Sequence, residues 1–131
     1  MKALHSEKAP KALGPYSQAI CAGGFVFASG QVPIDPATGE FAEGGIKEQT
    51  KQSLTNVTNV LAEAGIDLSH VVKTTVFLSD MANFAAMNEV YSTFFSEPFP
   101  ARSAVAVKTL PKNALVEIEV VAVIKNKPQE I

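Results

Sequence analysis

Three side chains near the C-terminal end carry the chemistry this sequence can offer. Arg102 stands at the start of "RSAVAVKT", a short apolar run behind the rigid pair Phe99-Pro100. Glu117 and Glu119 stand two apart within "LVEIEVVAVI". A guanidinium drawn against apolar surroundings needs an anion. It grips a carboxylate through a planar two-bond fork, so Arg102 suits either a small carboxylate ligand or an internal glutamate. Residues two apart in a strand share a face, so Glu117 and Glu119 point the same way. A carboxylate in such a run is costly unless paired, and a raised pKa would make it a proton relay. The competing reading pairs one or both with Arg102 or a lysine.

Spacing bears on that choice. "LPKNA" reads as a turn joining the last two strands into a hairpin. Centred near Pro111-Lys112, it sets Glu117 opposite Val105 or Ala106, about 10–13 Å from Arg102 at the usual strand rise. A direct pair inside this hairpin is strained. The expectation is that Arg102 and a glutamate reach one pocket only when a neighbouring copy supplies one of them.

Other motifs are weaker. "GPYSQ" (Gly14 to Gln18) and "SGQ" (Ser29 to Gln31) add polar groups near strand ends, but each is also a common turn. The sequence has no GxxxxGK[ST] and no strand followed by GxGxxG, and it shows no local Ser–His–Asp signature. Its two histidines, His5 and His70, lie far apart and away from the lone Cys21. No metal site and no cofactor is expected. His70 reads as a surface or capping residue, and Cys21 as a small buried one.

The elements that must position these residues follow from periodicity. Apolar runs flank Gly23-Gly24, a hairpin signal. "VPIDPATGEF" reads as a surface turn. From Gly45 to Ala64, Ile46, Leu54, Val57, Leu61 and Ala64 form one stripe, with Lys47, Glu48, Lys51 and Glu63 off it. Gly65 fits a C′ position. "VVKTTVFL" (Val71 to Leu78) is a strand. A second helix carries Phe84, Met87, Tyr91 and Phe94 at helical spacing, with Asp80 or Asn83 as cap and Pro98 as stop. That aromatic stripe reads as core packing.

The order is ββ–α–β–α–ββ, a two-layer α+β domain over 1–131 with a mixed sheet. Right-handed crossovers place both helices on one face. "FVFAS" and "VEIEVVAVI" are apolar on both sides, so the other face should be covered by further copies of the chain.

Bulk properties agree. The 131 residues are 47% hydrophobic with formal charge −2, from 11 basic and 13 acidic residues. That balance offers no field for nucleic acid or anionic lipid. No apolar run approaches the ~20 residues needed to span a bilayer, the N-terminal stretch lacks an apolar signal core, and one cysteine fits a reducing compartment. A cytoplasmic location is the expectation.

The motifs together resemble the Rid (YjgF) family of reactive-intermediate deaminases nearly end to end. They are "AP-x3-GPYSQ" from Ala9, "SGQVP" from Ser29, "VVKTTVFLSDM" from Val71, "N-x2-Y-x2-FF" from Asn88, and above all "PARSAV…LPKNALVEIE" from Pro100. The resemblance implies a chorismate-mutase-like fold and a homotrimeric barrel with clefts between subunits. It implies hydrolysis of 2-aminoacrylate and 2-aminocrotonate, as their imines, to 2-oxoacids and ammonia. It matches Arg102 to the arginine that binds the substrate carboxylate and Glu117 to the glutamate that positions or activates water. Tyr16, Ser29, Gly30 and Asn88 match further pocket residues. Ala104 stands where many relatives have cysteine, so that position is expected to act through its backbone. The lip "SEPFPA" looks shorter than in some relatives, which bears on side-chain preference. The alternatives are an oxoacid-binding regulator or chaperone without turnover and, against the acidic balance, a ribonuclease or translation inhibitor.

Overall fold

The structure is a computed structural model that describes residues 1–125; residues 126–131 of the expected domain lie outside the described residues. In chain order the elements are β1 (Lys2–Leu4), β2 (Ala19–Ala22), β3 (Phe25–Gln31), β4 (Ile34–Asp35), β5 (Glu40–Phe41), α1 (Ile46–Ala62), β6 (Val71–Leu78), α2 (Phe84–Phe94), β7 (Ala101–Ala106) and β8 (Val116–Val123). The main sheet has six strands in the order β1-β2-β3-β8-β6-β7. Only the β6–β7 pair is parallel, so the sheet is mixed.

Local signals act where expected. Gly23 and Gly24 take φ of 59° and 84°, the left-handed pair that a two-residue hairpin turn requires, and they join β2 to β3. Gly45 is the N-cap of α1, and its N–H donates to Glu48 Oε1 at 2.8 Å. Gly65, at φ 73°, follows the helix and donates its N–H to Ala62 O at 2.9 Å. Asp80 caps a short 3-10 turn, Met81–Asn83, which leads into α2. Asn83 makes no side-chain cap bond, and α2 stops at Phe94, before Pro98 is reached. The segment expected as a plain surface turn contains the small β4–β5 ladder. Cys21 is half-buried rather than fully buried.

The largest departure is at the C-terminal end. β7 and β8 do not form a hairpin. β6 lies between them, antiparallel to β8 and parallel to β7. The chain reaches β7 through α2, and such a crossover returns a strand parallel to the one it left. "LPKNA" therefore carries the chain from the sheet edge over β6 to the far side, and it does so through left-handed Lys112 and Asn113.

Both helices lie on one face of the sheet. Val116, Ile118, Val120 and Ala122 of β8, and Thr74, Val76 and Leu78 of β6, are buried there with Leu54, Val57, Val60 and Leu61 of α1. The alternate residues of the same strands face away from the helices. On that open face Phe25, Phe27 and Val105 remain 40%, 48% and 45% exposed, and Phe77 is partly covered. Among the described residues nothing covers this apolar face, which is the condition the strand composition implied.

Candidate functional site

The register of the sheet decides what Arg102 can meet. Arg102 pairs with Thr74 across β6–β7, and Thr74 pairs with Val120 across β6–β8. Like Thr74 and Val120, Arg102 therefore projects toward the helices. It does so at the outer edge, since β7 is the last strand. Its Nη1 donates to Asn88 Oδ1 of α2 at 2.6 Å. Its guanidinium carbon lies 4.7 Å from the centre of the Tyr91 ring and 5.5 Å from that of Phe84. The Tyr91 hydroxyl is itself tied to Thr74 Oγ1 at 2.8 Å. Burial pushes the Tyr91 phenol above its usual range, while the Thr74 bond and the Arg102 charge oppose that shift.

The result is an exposed guanidinium laid on aromatic faces and pinned at one nitrogen, with its other donors free. Among the described residues no carboxylate pairs with it. Asn88, Tyr91, Ser92, Phe99, Pro100 and Arg102 line a pocket of about 400 Å³ beside it. Ala104, two residues along, faces the same way and packs partly against the core.

Glu117 belongs to a second group. It pairs in register with Phe77 and shares the open face with Glu119. The β3 ladder is irregular between Ala28 and Gln31, and Gly30 lies there against Glu117. A β-carbon built on Gly30 would land on the Glu117 carboxylate, with Glu117 Cγ only 3.0 Å away. The glycine is thus what lets the carboxylate lie on the backbone of β3. Burial raises the Glu117 carboxyl above its ordinary value, and the charge of Glu119 raises it further. Ser29 supports this region: its Oγ donates to Ser17 O at 2.7 Å and its N–H to Gln18 O at 2.9 Å.

Tyr16 is 55% exposed and lines a separate cavity of about 420 Å³ with Leu13, Val32, Pro111 and Lys112. So the structure brings Arg102, Asn88 and Ala104 together, and separately Ser29, Gly30 and Glu117, with Tyr16 just upstream of Ser17. It does not bring the first group to the second within one chain. Sequence reasoning missed Tyr91 and Phe84 as the platform under Arg102. The two residues lie seven apart, two helical turns, and were visible only as a core stripe. His70 is largely covered, and its Nδ1 lies 3.4 Å from Asp67 Oδ1. Among the described residues no cluster of three His, Cys, Asp or Glu side chains is placed to hold a metal. None of the described helices is long and apolar enough to cross a membrane.

Fold and site define a small α+β protein with a pocket lined by Arg102 at one sheet edge and a half-buried carboxylate on the opposite face. Residues 6–124 match the family model described as endoribonuclease L-PSP. A RutC family protein of Pyrococcus abyssi is 56% identical over 119 residues, covering 91% of this chain and 94% of that one. A 2-iminobutanoate/2-iminopropanoate deaminase of Capra hircus is 48% identical over 120 residues, covering 92% and 88%. A crystal structure from Yersinia pestis, described as a protein of unknown function of the conserved Rid protein family, superposes with TM-score 0.91 at 48% identity, covering 94% and 98%. The chain belongs to the Rid (YjgF) family.

Proposed function

We propose that the chain, acting as one unit over 1–131, hydrolyses small 2-imino acids such as those derived from 2-aminoacrylate and 2-aminocrotonate, and that it does so in clefts between the subunits of a homotrimer. The observation that carries this reading is Arg102: a guanidinium fixed by Asn88 and Tyr91 yet lacking any carboxylate of its own among the described residues. A substrate carboxylate supplies the missing anion through the free donors. Seating it there fixes the orientation of the C=N bond.

An iminium carbon is already electrophilic, so the protein needs only to direct water and accept a proton. Glu117 of a neighbouring copy takes that proton as the water oxygen bonds to carbon. The carbinolamine then breaks its C–N bond. Nitrogen leaves as ammonia with the proton returned, and a 2-oxoacid remains. Gly30 keeps Glu117 seated, Ser29 and Tyr16 wall the cleft, and Ala104 contributes backbone only, which excludes a thiol at that position from the mechanism. The reading carries no metal and no cofactor, and a cytoplasmic location suits it.

The test is imine decay. A threonine dehydratase reaction generates 2-iminobutanoate, whose disappearance and ammonia release are followed with and without the protein. Accelerated decay is expected. Decay at the buffer rate, with 2-oxobutanoate still bound, would leave a binding protein in its place.

A further inference from the structure

The open face of the sheet carries a polar band that the reaction does not use. Glu119, Thr75 and Ser103 share one row across β8, β6 and β7. Lys73 lies one step away on the same face and donates from Nζ to Ser103 Oγ at 2.9 Å. Around the band stand Phe27, Val121, Phe77 and Val105, and beyond them Phe25 and Val123. Lys73 and Glu119 both border a small cleft of about 140 Å³ with Phe27 and Val121. They nevertheless form no ion pair within the described chain.

The reason is directional. β6 has β8 on one side and β7 on the other, so the bond to Ser103 turns the ammonium toward the sheet edge and away from Glu119. One chain therefore presents a lysine aimed outward and a glutamate left behind, on a face whose exposed side chains include Phe25, Phe27 and Val105. Covering this face with an apolar partner would strip two charges of water without compensation, which is strongly unfavourable. A second copy supplies the complement of each.

We propose that Lys73 of one copy pairs with Glu119 of the next, and that this pair sets the register in which Glu117 meets the neighbour's Arg102. The inference rests on the shared-cleft reading above. Lys73 and Glu119 are positioning residues in this scheme, and Ser103 aims the lysine. Opposite charges set within a complementary apolar surface fix alignment more than they add affinity.

The test separates assembly from activity. K73E chains carry like charges at the contact, as do E119K chains. Each alone should dissociate at a concentration about tenfold or more above that of the unmodified chain, read by native mass or light scattering. Mixing the two restores opposite charges between unlike copies, at two of the three contacts of a mixed trimer, so assembly and imine hydrolysis should both recover in part. The double variant K73E/E119K should also assemble. Single variants with unchanged mass and activity would overturn the proposal, as would a mixture no better than its components. If a charge-reversed chain fails to fold by circular dichroism, K73Q and E119Q take its place. Salt should weaken the unmodified assembly and have less effect on theirs; an unchanged salt dependence overturns the pair. An unmodified chain that assembles with this charge pattern but hydrolyses no imine would overturn the functional reading and not the pair.

Discussion

Arg102 and Glu117 lie on opposite faces of one sheet, with β6 between their strands and an odd offset, three residues, from one row to the other. Two strand spacings across and three residues along set their Cα atoms about 14 Å apart, and the period of two turns their side chains away from each other. No rotamer closes that gap. If both act on one substrate, they must come from different chains. R102A and E117A should each lower kcat/KM by about a hundredfold or more, the loss of a charged contact to the reacting molecule. Mixed in equal amounts and reassembled, they should regain about a quarter of the unmodified activity, since each cleft draws its arginine and its glutamate independently. Reassembly confirmed by mass, with no recovered activity, would disprove the shared cleft.

Asn88 gives a second, sharper probe. It is a neutral acceptor holding Arg102 Nη1 at 2.6 Å. Asn88→Asp keeps the size and the hydrogen bond but places a charge on the guanidinium, competing with the incoming carboxylate. KM should rise about tenfold with kcat little changed, the pattern of lost ground-state binding. An unchanged KM would mean that the substrate carboxylate binds elsewhere.

Glu117 makes a prediction about pH. Its carboxyl is raised first by burial and then by Glu119, so the folded chain holds that proton to higher pH than the unfolded chain does. Stability from this group is fully present below the ordinary glutamate pKa and is lost as pH rises through the raised one. Glu117→Gln should therefore stabilise the protein at neutral pH and make no difference near pH ~4, below both values. Denaturation midpoints at the two pH values measure this. In activity, the acidic limb of kcat/KM should have its midpoint above the ordinary glutamate value, because only the carboxylate can take a proton from water. Equal midpoints for Glu117→Gln and the unmodified chain at neutral pH would count against the burial.

What the residues revealed in advance was local. The Gly23-Gly24 turn, the α1 stripe with Gly65 behind it, and the β-branched run of β6 each declare themselves within a few positions. Partner choice among strands does not. A short link such as "LPKNA" favours a hairpin, yet α2 had already carried β7 parallel to β6 and taken that edge. The row of Glu117 does contain Val105, as spacing suggested, but with Phe77 between them. Tyr91 and Phe84 were legible as a helical stripe, not as a seat for Arg102, because that contact depends on where the helix lands on the sheet. Gly30 was legible as a polar strand end and, through the family resemblance, as a pocket residue, but not as the seat of Glu117, since the residue it makes room for lies 87 positions later.

That glycine carries the last prediction. Gly30 does not need left-handed backbone, so replacing it strains no dihedral. What a side chain would meet is Glu117, whose carboxylate occupies the space of the missing β-carbon. Gly30→Ala must displace that carboxylate, and Glu117 is a side chain able to swing away, so the fold should survive. Activity should fall about tenfold or more, because a base displaced by an ångström or so no longer addresses the same water. The double-variant cycle isolates the cause. If Gly30 acts through Glu117, adding Gly30→Ala to Glu117→Ala should cost almost nothing further, a departure from additivity expected of residues in contact. Losses that simply multiply would show that Gly30 serves the cleft in some way independent of the glutamate.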